Sequence, residues 1–148
     1  MLAETRVAMA ELLQEHFGDE IQVSPVMLAD PTPPAAHVYP TPVEFDETYG
    51  RGVDDWTFTV QVFVSDAGGD EGAQLLLDEY LEPSGPRSVK VALEKPDTPD
   101  GRVSLGGVVD DLRVTRCEGY RLYVREGRAP VLGSEWTVEV SAPGEEEG

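Results

Sequence analysis

The chain has 148 residues, a length that suits one domain with a proper core, and 40% hydrophobic against 27% charged residues argues against wholesale disorder. Eleven Lys+Arg against 29 Asp+Glu leave a formal charge of −18, and no run of clustered Lys and Arg is present, which argues against DNA or RNA as a tightly held ligand. The single cysteine, Cys117, excludes an internal disulfide and a multi-cysteine zinc site, and no apolar run of about 18 residues exists to span a membrane.

The N-terminus carries Met9, Leu12, Leu13 and Phe17 at helical spacing, with Glu4, Arg6, Glu11 and Glu15 between them. This predicts an amphipathic helix ended at Gly18, and not a signal peptide. Ile21–Leu28 reads as a short strand interrupted at Pro25, at an edge or bend. Asp30–Pro34 reads as a stiff, extended connector. A strand near His37–Phe45 is expected to pair, through a glycine-bearing turn, with the strand Asp54–Ser65.

That second strand organises the rest. Trp56, Phe58, Val60, Val62 and Val64 fall on every second residue, with Thr57, Thr59, Gln61 and Ser65 between them and Phe63 as the exception. A period of two builds one apolar and one mostly polar face, so the strand is expected at the centre of an antiparallel sheet. Asp66–Glu71 opens a helix whose stripe is Ala73, Leu76, Leu77, Tyr80 and Leu81, spaced to cover the Trp56 face. Ser88 can cap a short helix over Val89–Lys95, followed by a loop, Pro96–Gly101.

From Val103 the pattern is β again, with Val108, Leu112 and Val114 on one parity and Asp111, Arg113, Thr115 and Cys117 on the other. A turn at Glu118-Gly119 is expected before Tyr120–Arg125. Trp136, Val138 and Val140 mark the last strand, and residues 143–148 form an acidic tail, expected to be unfolded. The order predicts a single α+β domain over residues 1–142, mainly an antiparallel sheet with helices packed on one face and a projecting β-hairpin.

The residues of chemistry do not assemble into a catalytic or metal-binding motif. His16 and His37 stand outside any His-Glu-x-x-His or Gly-x-Ser-x-Gly pattern. Asp54-Asp55 and Asp110-Asp111 are strand neighbours whose side chains point apart, and Asp66–Glu71 lacks the spacing of a calcium loop. Leu105-Gly-Gly-Val is not followed by a helix, so it is no phosphate loop. Cys117 reads as a small packed side chain. No cofactor is expected. Phe45, Tyr49 and Arg51, on the tip of the predicted hairpin, are residue types that anchor interfaces, and they are the candidate contact residues.

The chain resembles the tail terminator proteins of long-tailed bacteriophages, of the kind found in phages of actinobacteria. The matching stretches are the helix ending at Phe17-Gly18, Asp30–Pro40, Trp56–Ser65, Ala73–Leu81, Gly85–Leu93 and Trp136–Val140, spread over residues 2 to 142. The resemblance implies a non-enzymatic ring, usually a hexamer, in the neck region of the virion and in host cytoplasm during assembly. Such a ring caps the tail-tube protein, stops its polymerisation, meets the head-tail connector, and lets DNA pass its lumen without specific binding. Acidity fits a lumen that DNA does not stick to. Other neck or tail-tube proteins of the same architecture, a monomeric acidic binding module and an enzyme with an unfamiliar site stay open as alternatives.

Overall fold

The N-terminal stripe folds as helix α1, Leu2–Phe17, in a computed structural model that describes residues 2–28, 33–41, 55–65, 71–125 and 127–141. Met9, Leu13 and Phe17 are buried with Ala10, and the amide of Gly18 closes the helix on the Gln14 carbonyl at 2.8 Å. Arg6 leaves the helix to donate to the carbonyls of Pro25 (2.9 Å) and Val38 (3.0 Å), which ties α1 to the first two strands. Those strands are β1, Gln22–Ser24, and β2, Ala35–Pro40. Only three residues of the expected Ile21–Leu28 strand pair, because Pro25 has no amide to offer.

Strand β3, Asp55–Ser65, lies third in a five-stranded sheet and is its centre. Helix α2, Glu71–Leu81, and a short α3, Val89–Leu93, come next, and two long strands complete the sheet: β4, Asp111–Arg125, and β5, Arg128–Ser141. The order is β1-β2-β3-β5-β4; β1 pairs with β2 in parallel and every other pairing is antiparallel. The protein is thus α+β, with a mixed, mostly antiparallel sheet and three helices among the described residues.

The period of two in β3 sorts the faces as expected. Phe58, Val60, Val62 and Val64 are buried in the main core with Ala73, Leu77 and Tyr80 of α2, and Val138, Trp136 and Ser134 of β5 lie opposite Phe58, Val60 and Val62. Trp56, Leu76 and Leu81 are half-buried at its margin. Ser88 caps α3 by accepting from the Val91 amide at 3.1 Å, and α3 stops two residues short of Lys95. Phe63, the exception in the pattern, is buried on the opposite face of the sheet.

Strand β4 corrects two expectations. Residues 103–110 form turns, not strand, and Glu118-Gly119 is not a turn between two strands. The register slips by one residue between Val114 and Arg116 and again between Glu118 and Arg121, so β4 is one continuous strand carrying two bulges of its own, while a third shift, between Tyr123 and Arg125, puts the extra residue on β5. Gly119 sits in the second with φ +73°, a conformation that favours glycine. Each bulge inverts the parity of the residues beyond it. Leu112 and Val114 face the helices, then Cys117 does, then Leu122. The parity that put Cys117 with Arg113 therefore fails at Thr115.

Gly133 of β5 lies against Phe63, where a Cβ would stand 2.5 Å from the Val62 carbonyl oxygen and 2.8 Å from the Phe63 ring. The pairing of β3 with β5 tolerates no side chain there. The expected hairpin tip with Phe45, Tyr49 and Arg51, the opening of α2 at residues 66–70, most of the proline-rich connector and the acidic tail lie outside the described residues.

Two substitutions test this packing. Leu77→Ala, at a wholly buried position, should cost about 2–5 kcal/mol in urea unfolding; a loss under about 0.5 kcal/mol would place Leu77 outside the core. Gly133→Ala should destabilise by about 1–3 kcal/mol through overpacking, whereas an unchanged midpoint would show that β3 and β5 leave room for a methyl group.

Candidate functional site

The sheet has a second face, away from the helices, and its centre is a polar network. The alternation of β2 and β3 that buries Val38 and Val60 necessarily turns His37 and Gln61, which are register partners, to this side. The Leu28 amide donates to His37 Nδ1 at 2.9 Å, which leaves the proton on Nε2. Nε2 donates to Gln61 Oε1 at 2.6 Å, and Gln61 Nε2 donates to Glu135 Oε2 on β5 at 2.9 Å. A directed chain of hydrogen bonds thus crosses three strands. His37 and Phe63 are buried beside it, with Tyr39 and Tyr123 edge-on to their rings and the Arg121 guanidinium 4.3 Å from the Tyr123 centroid.

The electrostatics follow from burial. Desolvation, reinforced by the charge of Arg6 and opposed by the Gln61 hydrogen bond, holds His37 below its ordinary value of 6.5. Burial followed by the charge of Glu135 pushes the Tyr123 phenol up to about 12, and the same two causes raise Tyr39. This network works as structure: each polar group is satisfied by another of the chain's own.

The far end of the sheet differs. Among the described residues, pairing with β3 stops at Leu132, and beyond it β4 and β5 pair with each other as a two-stranded ribbon, Arg125 opposite Arg128. Tyr120, Leu122 and Val124 are exposed on the side of the ribbon that faces the helices, Val124 to 90%. Tyr120 still reaches the Gln74 carbonyl of α2 at 3.2 Å, whereas Leu122 and Val124 lie further along the ribbon. Arg121 lies on the opposite side, and among the described residues β4 pairs along one edge alone. The ribbon is a protruding hairpin that periodicity did not reveal, because the two bulges interrupt its alternation.

Other candidates take structural roles. His16 Nε2 meets the Pro86 carbonyl at 2.9 Å. Cys117 Sγ lies 3.2 Å from Ser134 Oγ, and burial raises its pKa, which disfavours the nucleophilic thiolate. The Leu105-Gly-Gly-Val loop already holds an anion of its own. Asp97 accepts from the amides of Ser104 (2.6 Å) and Gly106 (2.9 Å), and these bonds, the Gly106 bond foremost, hold its carboxyl below 3.8. Asp110 is ion-paired to Arg102 at 2.6 Å, and Asp111 accepts from the Val103 amide at 3.1 Å. Among the described residues no group of three or more His, Cys, Asp or Glu could hold a metal ion, and no helix is long and apolar enough to cross a membrane.

No protein-family model matches the sequence, and comparison with curated proteins finds no significant match.

The histidine network makes a signed prediction. A folded pKa below the unfolded one means that the contribution of His37 is fully present above about 6.5 and is lost as the pH falls through the lower folded value. Urea midpoints should therefore drop between about pH 7 and pH 5 more steeply for the wild type than for His37→Asn; parallel curves would remove His37 from the balance. Gln61→Leu, which strands Glu135 and the imidazole N–H, should cost about 1–3 kcal/mol at neutral pH.

Proposed function

We propose that this chain is a structural, non-catalytic ring subunit that caps the tail tube of a long-tailed bacteriophage, ends tube growth and joins the tail to the head connector. The observation that carries the reading is the protruding β4–β5 ribbon, with Leu122 and Val124 exposed and, among the described residues, the outer edge of β4 unpaired in the sheet. Open edges and exposed apolar side chains are what an assembling subunit buries and a lone monomer must protect. The stretches that resemble the terminator family fall on α1, β2, β3, α2, α3 and β5 in succession. Heterologous contacts between identical subunits generate rings when the rotation closes. The charge of −18 keeps single copies apart at long range and leaves assembly to short-range contacts.

Particle mass separates this reading from the monomeric binding module. Sedimentation should show a species about six times the 16.1 kDa chain, alone or once tube subunits are added; a monomer under both conditions would support the module instead. Deleting the gene from the phage that encodes it should give heads and tails that fail to join, with tails of irregular length. Infectious virions of normal tail length would overturn the proposal.

A further inference from the structure

We infer that Gln14 and Glu94 guard the two edges of the sheet: each side chain holds backbone groups that an added strand would need, and together they keep copies of this chain from joining edge to edge. The inference stands whether the chain works as a ring subunit or as a monomer, because it concerns a contact that either must avoid.

The sheet ends at β1 on one side and at β4 on the other. An edge strand turns a row of N–H and C=O groups outward, and such a row templates the pairing of another chain. At β1, Gln22 donates to the Pro34 carbonyl on the β2 side at 3.3 Å, so alternation turns the groups of Ile21 and Val23 outward. The Gln14 side-chain amide occupies both residues: Oε1 accepts from the Val23 amide at 2.9 Å, and Nε2 donates to the Ile21 carbonyl at 2.8 Å. Bonding to the carbonyl before Gln22 and to the amide after it is what one residue of a parallel neighbour would do. Nε2 also donates to the Gly18 carbonyl at 2.8 Å, which fixes the side chain against the end of α1.

On the far edge, two bulges spoil β4 as a template beyond Val114 and leave the regular stretch Asp111–Val114 as the place for a strand to add. An open recess of about 510 Å³ lies there between α3 and β4, with Lys90, Gly101, Val103 and Thr115 on its walls, so this stretch of edge is approachable. Glu94, the residue that follows α3, reaches into it. Its Oε2 accepts from the Val114 amide at 2.8 Å, while Lys90 Nζ holds Oε1 at 2.7 Å. The guard therefore stands on the part of the edge that the bulges do not protect.

Satisfying these groups does not by itself require a side chain, because water satisfies an amide at an open edge. A side chain fixed there gives up rotamer freedom, and what it adds over water is exclusion. An incoming strand must first break two bonds at β1, or a charge-assisted bond at β4, which is stronger than a neutral one. With both guards gone, β1 of one copy is open to β4 of the next. That contact joins two different edges, so it repeats from copy to copy.

Gln14→Ala and Glu94→Ala, singly and together in the full chain, test the guards without adding apolar surface. Sedimentation over a concentration series at about 0.15 M salt screens long-range repulsion beyond about 8 Å, and circular dichroism and thermal melts check that each variant folds. The mean mass of the double variant should keep rising with concentration, past any size the wild type reaches. Its association should be about tenfold stronger or more, as the freed hydrogen-bonding groups allow. Glu94→Gln keeps an acceptor for the Val114 amide and should sediment as the wild type does. Folded alanine variants that follow the wild-type curve would overturn the inference. Glu94→Gln associating like Glu94→Ala would trace the effect to charge and overturn the guard on β4. Hydrogen exchange of the wild type reads both guards without any substitution: the Val23 and Val114 amides should be protected, and exchange at the rate of an unstructured chain would overturn the inference even if a variant failed to fold.

Discussion

Burial of the even-numbered face of β3 is the interaction on which the rest of the structure depends. Phe58, Val60 and Val62 are at most 1% exposed, and they meet helices on one side and the matching parity of β2 and β5 across the sheet. Because the period of a strand is two, a slip of one residue would present Gln61 and Thr59 to the helices. Register throughout the centre of the sheet is thereby set. The odd face is then free to carry polar groups, provided that they satisfy one another.

The His37–Gln61–Glu135 chain is how that condition is met. Its members come from three adjacent strands, so they are near one another only because the register is right. A network of this kind adds specificity to the pairing of β2, β3 and β5, since a shifted strand would strand its donors and acceptors in a half-dry environment. On the helical side, Tyr80 and Arg87 both donate to Glu20, so α2 and the segment before α3 are tied to the chain just after α1. The two faces are thus held by different chemistry, apolar burial on one and directed hydrogen bonds on the other.

Much of the fold was legible in the sequence because its signals are periodic. The stripes of α1 and α2, the alternation of Trp56–Ser65 and Trp136–Val140, and the Ser88 cap all act within a few residues, and all appear where they were expected. The illegible part depends on partners distant in sequence. The interruption at Pro25 was legible, but no local pattern reveals that His37, Gln61 and Glu135 share a network spanning 98 positions of chain. Phe63 looked like a breach in the pattern; it is the ring that Gly133 makes room for on the opposite strand. The expected contact residues Phe45, Tyr49 and Arg51 lie outside the described residues, and the ribbon at Leu122 and Val124 was concealed by the bulges that precede it.

Those bulges give β4 an arithmetic of its own. An extra residue near Thr115 moves Cys117 onto the helical side, and another at Gly119-Tyr120 returns the even positions to it, so the outer part of the strand is in phase with the inner part only because there are two. Losing either one would act as a reading-frame change carried out in space. Everything beyond it would rotate by half a turn, with Leu122 and Val124 exchanged for Arg121 and Tyr123, while the amino acids stayed the same. Length in this strand therefore encodes which chemistry the ribbon shows to its surroundings, and a single-residue deletion there would be a larger change than most substitutions.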